Sequence, residues 1–161
     1  MNKLVIYYSF EGNTRLIAEV IAEASGADLL ELEPKKKLRS HGLFKYLWGG
    51  RQVVMKEKPK LLPLAKNPQD YDLLFIGTPV WAWTYTPPLN TFFSAVNLKN
   101  KKIALFCCHG GDKKKTLEKM RERLLGNEII SQIDFQQPIK NKTAEQVTKA
   151  KQWAQDVIVK I

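Results

Sequence analysis

Short continuous apolar runs alternate with stretches where apolar residues recur every three or four positions. The two patterns take turns about five times along the chain. Residues 3–8 are a continuous apolar run, the signature of a strand buried on both faces. Leu16, Ile17, Val20, Ile21 and Ala24 then follow helical spacing, with Gly26 where a C-terminal cap belongs. Residues 28–33 read as a second strand, ended by Pro34. A helix around 43–54 is weakly patterned, because Gly49 and Gly50 interrupt it. Residues 72–77, 102–108 and 128–135 read as the third, fourth and fifth strands. Leu89, Phe92, Phe93 and Val96 mark a helix opened by Pro87-Pro88, and Leu117, Met120 and Leu124 mark another. Val147, Ala150, Ala154, Val157 and Ile158 mark the last helix, with Thr143 and Gln146 spaced for a capping box.

Buried strands joined by helical crossovers predict a doubly wound, three-layer α/β/α architecture on a five-stranded parallel sheet. The 161 residues suggest a single domain over 1–161. No apolar run approaches the roughly 18 residues that a membrane span needs. The N-terminal apolar run is too short for a signal-peptide core. The two cysteines, Cys107 and Cys108, are adjacent and cannot form a disulfide framework. A soluble, cytoplasmic protein is expected.

Charge changes the picture in one place. The net charge is +10, and residues 35–60 carry nine cations against one acid, Glu57, which accounts for +8 of it. This basic insertion, at about 35–60, suggests one face aimed at an anionic partner, or simply a solvated crossover. It also interleaves Phe44, Tyr46 and Trp48 with lysine.

In a parallel sheet of this kind ligands bind beyond the carboxyl ends of the strands. The loops after the first, third and fourth strands are therefore the candidate site. Ser9, Gly12, Asn13 and Thr14 lie between a strand and a helix, where free N–H groups and neutral side-chain donors suit a phosphate. Glu11 in the same loop repels one, so it points away or meets something else. Thr78, Pro79, Val80, Trp81, Trp83 and Tyr85 form an aromatic loop stiffened by proline, suited to a flat ring; at least one of its three large rings should cover the core instead. Cys107 and Cys108 face opposite ways, so at most one reaches the site. His109 is a polar contact or a turn residue, and Gly110 and Gly111 permit close approach of a ligand. Neither the histidines nor the cysteines have zinc-site spacing, and no catalytic triad or carboxylate pair stands out.

The order and spacing of these loops resemble the flavodoxin family over nearly the whole chain. Ser9-Phe10-Glu11-Gly12-Asn13-Thr14 is similar to that family's phosphate loop, with Glu11 replacing a threonine. Gly77-Thr78-Pro79-Val80-Trp81 and Cys108-His109-Gly110-Gly111 are similar to its two ring-flanking loops, the second without the tyrosine that usually stacks there. The resemblance implies strand order 2-1-3-4-5, non-covalently bound FMN and electron transfer between redox partner proteins. Those partners are expected to be acidic, because this chain is basic where electron-carrying flavodoxins are acidic. Lys35–37 and Lys113–115 near the ligand end would favour an anionic reduced flavin and a less negative potential. An NAD(P)H-dependent quinone or FMN reductase on the same fold is the alternative. A flavin-free module using the basic block on nucleic acid or an anionic surface ranks below both, so neither nucleic acid nor a membrane span is expected.

Overall fold

The computed structural model describes residues 1–37 and 57–161, so the suggested helix at 43–54 lies outside the described residues. Among the described residues there are five strands: β1 (Lys3–Tyr7), β2 (Asp28–Glu31), β3 (Leu73–Pro79), β4 (Lys102–His109) and β5 (Glu128–Gln136). The helices among the described residues are α1 (Asn13–Ser25), α2 (Pro87–Ala95), α3 (Thr116–Glu122) and α4 (Thr143–Val159). Every strand pair is parallel, and the order across the sheet is β2-β1-β3-β4-β5.

The apolar runs work because successive side chains alternate between the two sheet faces. Leu4, Ile6, Leu74, Ile76, Ile103, Leu105 and Cys107 point to one face and pack under α2 and α3, against Leu89, Phe92, Leu117 and Met120. Val5, Tyr7, Leu73, Phe75, Ala104, Phe106 and Cys108 point to the other and meet Ile17 and Ile21 of α1 and Ala154 and Val157 of α4. The central strands therefore have no polar face, which is why they read as unbroken apolar runs.

The helix ends follow local rules with one exception. Gly26 closes α1 in the left-handed conformation at φ 63°, and Thr86 precedes Pro87-Pro88 at the start of α2. The expected capping box on α4 does not form. Thr143 is already inside the helix, and its hydroxyl donates back to the Ile139 carbonyl at 3.0 Å. Gln146 donates instead to the carbonyls of Gln136 and Asn141. Lys142, at positive φ at the end of the turn from β5, takes the cap position, so the helix starts one residue before the box requires.

At the carboxyl end of β1, Tyr7 and Tyr8 are almost fully buried. Burial, with Glu31 adding to it, pushes both phenols up to about 12. The Tyr7 hydroxyl donates to Glu31, whose carboxylate is held by Arg15 at 2.8 and 2.9 Å. A group whose proton is held more tightly in the folded state stabilises it fully below the unfolded value near pH 10. That contribution is lost as the pH climbs toward 12. An alkaline absorbance titration should thus leave Tyr7 and Tyr8 protonated at pH 11, with their tyrosinate signal appearing only as the protein unfolds. Full ionisation of all tyrosines around pH 10 in the folded protein would contradict this packing.

Candidate functional site

The loops after β1, β3 and β4 meet at one end of the sheet and enclose a pocket. Its walls include Ser9, Phe10, Glu11, Asn13 and Thr14 from the first loop. Pro79, Val80 and Trp81 come from the second, Cys108, His109 and Gly110 from the third, and Gln137 from the turn after β5.

The first wall is the start of α1. Gly12 precedes the helix at φ 95°, a conformation that only glycine adopts without strain, and a Cβ there would press on Ile139 at 3.3 Å. No side chain caps this end of the helix. Ser9 Oγ takes the N–H of Arg15 at 3.1 Å, while the N–H groups of Gly12, Asn13 and Thr14 meet no acceptor among the described residues. Asn13 Oδ1 accepts from the N–H of Ile139 at 3.0 Å, tying the loop to the 137–141 turn. Thr14 Oγ1 is buried with no hydrogen-bond partner of acceptable geometry, and burial pushes the Cys108 thiol up to about 12. Unclaimed N–H groups at a helix start, beside an unpartnered hydroxyl, form a neutral anion cradle. Arg15, the cation nearest in sequence, is engaged by Glu31 on β2.

The second wall is aromatic. Trp81 packs edge-on against Tyr8 and Phe10, with ring centroids 5.9 and 5.3 Å apart. Thr78 does not line the pocket. It is buried, donates to the Pro79 carbonyl at 2.9 Å and accepts from the N–H of Thr86 at 3.2 Å, so it braces the loop from below. Tyr85 is turned into the core against Phe93, which makes it the ring that covers the core. Trp83 stands 55% exposed at the tip of a tight turn closed by paired hydrogen bonds between Trp81 and Thr84. Ala82 and Trp83 both hold positive φ there, at 46° and 60°, a turn usually made by Asn-Gly.

The third wall pairs a histidine with a carboxylate that sequence reasoning missed. His109 is nearly buried, and its Nε2 lies 2.9 Å from Asp134 Oδ2 on β5. Lys113 Nζ lies 3.0 Å from the other oxygen of Asp134. Burial raises the Asp134 carboxyl, but the bonds from His109 and Lys113 outweigh it and hold the group below its ordinary range. Cys108 lines the pocket and Cys107 lies on the opposite face, as strand alternation requires. Gly110 and Gly111 have ordinary φ, and a Cβ at either would find room, so neither is demanded by the turn. Gly111 does not line the pocket.

Two of the six lysines expected to charge this end, Lys113 and Lys114, are paired with carboxylates. Lys113 is engaged by Asp134, Lys114 by Asp112 at 2.9 Å, and Glu11 adds a carboxylate to the wall. Phe10 and Gln137 complete the pocket and were not candidates. Phe10 carried a usable signal, an aromatic inside a phosphate-type loop, whereas Gln137 carried none. Among the described residues no cluster of histidine, cysteine and acidic side chains could hold a metal ion, and no helix is long and apolar enough to cross a membrane.

A family model described as Flavodoxin matches residues 2–155. No curated protein matches the chain. Several solved structures share its fold. A protein from Bacteroides uniformis described as a flavoprotein has 23% identity and a TM-score of 0.79, with 96% of this chain and 97% of that one covered. A Lactobacillus acidophilus flavoprotein in complex with FMN has 22% identity and a TM-score of 0.69, covering 88% of this chain and 98% of that one. Oxidised flavodoxin 2 from Bacillus cereus has 20% identity and a TM-score of 0.65, with both chains fully covered.

Proposed function

Because the chain belongs to the flavodoxin family, we propose that its pocket holds FMN and that the protein passes electrons between partner proteins through it. The observation that carries the reading is the start of α1. A helix end with unclaimed N–H groups, a glycine at φ 95° and a buried, unpartnered Thr14 hydroxyl adjoins an aromatic wall. A ligand joining a phosphate to a flat ring satisfies both halves at once.

FMN supplies the electron-accepting ring when bound. The N–H groups of Gly12, Asn13 and Thr14, with the Thr14 hydroxyl, hold the phosphate. Ser9 holds the loop in shape through Arg15. Pro79, Val80 and Trp81 lie along one side of the ring, and Cys108, His109 and Gly110 along the other. Glu11 turns its carboxylate away from the phosphate. Trp83 and Tyr85 leave the ring uncovered from their side, one held at the tip of its turn and the other in the core. The excess of lysine elsewhere favours acidic partners, with association that slows as salt rises. The two buried free thiols fit a reducing, cytoplasmic setting.

The test is an FMN titration of the purified protein followed by stepwise photoreduction. The expected result is a one-to-one yellow complex reduced in two separate one-electron steps. Reduction in a single two-electron step, together with steady oxidation of NAD(P)H by a quinone, would move the assignment to a reductase. A protein that stays colourless with excess FMN would overturn the reading.

A further inference from the structure

The chain that leaves β2 and the chain that returns toward β3 run side by side. Pro34 and Leu61 form an antiparallel bridge. The Lys35 N–H donates to the Lys60 carbonyl at 2.8 Å, and the Leu62 N–H to the Glu33 carbonyl at 2.7 Å. That register sets Lys35 opposite Lys60, and like charges directly opposite on paired strands are destabilising. Lys35, Lys36, Lys37, Lys58 and Lys60 are all exposed. None of the five forms an ion pair among the described residues. Residues 38–56 bring no relief, since they contain four cations and no acid. Elsewhere the pattern differs: Lys66, Lys113 and Lys114 are each matched to a carboxylate. Folding alone favours an acid at this register, and rules of this kind are broken chiefly at functional sites.

The lysine row is fixed to the rest of the fold. The Thr91 hydroxyl of α2 donates to the Pro59 carbonyl at 2.8 Å, and the buried Asn90 donates to the Glu57 carbonyl at 3.2 Å. Exposure alternates along the returning chain, with Lys58, Lys60 and Leu62 exposed and Pro59 and Leu61 half-buried. Leu61 packs on the same apolar cluster as Phe10 and Trp81, two residues of the pocket wall. The Leu32 N–H meets the Tyr7 carbonyl at 2.7 Å, so the chain enters the row at the carboxyl end of the sheet, the end that carries the pocket. No buried donor joins the lysines to make a cage for a small anion. A row of separate, exposed cations instead matches an extended surface of carboxylates. Leu62 is the only large apolar side chain strongly exposed among residues 33–37 and 57–62, too little to hold a bilayer.

We propose that Lys35, Lys36, Lys37, Lys58 and Lys60 form a docking ledge for an acidic, electron-exchanging protein, whose carboxylates stand where the paired strands lack an acid. The inference rests on the electron-transfer reading above. Attraction at the ledge brings the partner to the pocket's end of the sheet. Exposed charges act chiefly on encounter, so the ledge raises the association rate, and the effect fades as salt rises.

The test uses the FMN-loaded protein with a purified acidic plant-type ferredoxin as the probe. Stopped-flow absorbance under argon follows one electron passing from the reduced ferredoxin cluster to the oxidised flavin. Lys35→Gln/Lys58→Gln/Lys60→Gln removes three ledge charges. Lys99→Gln/Lys151→Gln/Lys160→Gln removes the same net charge from exposed positions off the ledge. At low salt the second-order rate should fall about tenfold in the ledge variant and about twofold or less in the control, and the salt dependence should flatten in the ledge variant. FMN affinity should be unchanged in both, since no ledge residue lines the pocket. The ledge variant should melt no lower than the native protein, because Lys35 and Lys60 no longer repel each other. An unchanged rate in the ledge variant would overturn the proposal. Equal losses in the two variants would overturn it as well, since net charge rather than the ledge would then steer the encounter. So would ledge-dependent binding of poly-uridylate RNA or of phosphatidylglycerol vesicles with no effect on ferredoxin, which would assign the lysines to a nucleic acid or a lipid surface. A protein that stays colourless with FMN would instead overturn the functional reading, before any ferredoxin is added.

Discussion

Gly77→Ala lowers the stability of the protein by about 3 kcal/mol, the upper part of the range for forcing extra carbon into a packed core. Gly77 sits in β3 opposite Phe106 of β4, and the Phe106 ring lies over it where a side chain would stand. A Cβ built on Gly77 would overlap the far edge of that ring, at Cζ, Cε1 and Cε2. Phe106 cannot swing away, because it is fully buried and packs against Trp153 of α4 at 6.4 Å between centroids. Both central strands and α4 must therefore shift. Thermal melting should show a drop of about 6–12 °C for a chain of this size. The control is Phe106→Leu, which removes the ring from above the glycine. In that background Gly77→Ala should cost clearly less than it does alone, a coupling that separates overpacking from any loss of strand propensity. A melting temperature unchanged by Gly77→Ala would show that the ring does not occupy this space.

Thr14→Val moves stability and ligand binding in opposite directions. The Thr14 hydroxyl is buried without a hydrogen-bond partner in the absence of a ligand. Exchanging it for a methyl group of similar shape removes a desolvated polar atom, so the ligand-free protein should become more stable by about 1 kcal/mol. The same change deletes a donor to the phosphate. Hydrogen bonds to charged groups contribute about 1.5–3 kcal/mol, so FMN binding should weaken by about 10- to 100-fold. Riboflavin, which lacks the phosphate, should lose little affinity. Calorimetric titration with both ligands, beside melting of the ligand-free protein, measures all three effects. Equal losses for FMN and riboflavin would mean that Thr14 serves the ring side of the pocket, and a destabilised ligand-free protein would mean that its hydroxyl is satisfied after all.

Much of the architecture was written in local patterns. The sheet's central strands are apolar on both faces, so β1, β3 and β4 could be found without knowing their neighbours. Gly26 and Pro87-Pro88 mark helix ends through backbone conformation alone, which is a property of single residues. The three loops of the pocket were legible for the same reason, since each follows a recognisable strand. Ten of the fifteen candidate residues line the pocket: Ser9, Glu11, Asn13, Thr14, Pro79, Val80, Trp81, Cys108, His109 and Gly110.

The remainder depended on long-range contacts. Nothing local distinguishes Tyr85 from Trp81, yet one faces the core and the other the pocket, because the turn at Ala82 and Trp83 reverses the chain between them. No local signal in the sequence marks Asp134. Only the pairing of β4 with β5 brings it to His109 and Lys113. The same pairing cancels a lysine that, read by itself, seemed to charge the site. Gln137 reaches the pocket because the turn after β5 is pinned to His109 and to the α1 side by the bonds from Gln137 and Ile139. The α4 cap failed for a related reason: the tight 137–142 turn, not the spacing of Thr143 and Gln146, decides where that helix begins. The sequence by itself determined which segments become strands and helices and which loops gather at one end, since burial and backbone preference act over a few residues. Only the tertiary structure decided which side chains in those loops face the pocket and which charges survive there, since both depend on partners brought together from distant parts of the chain.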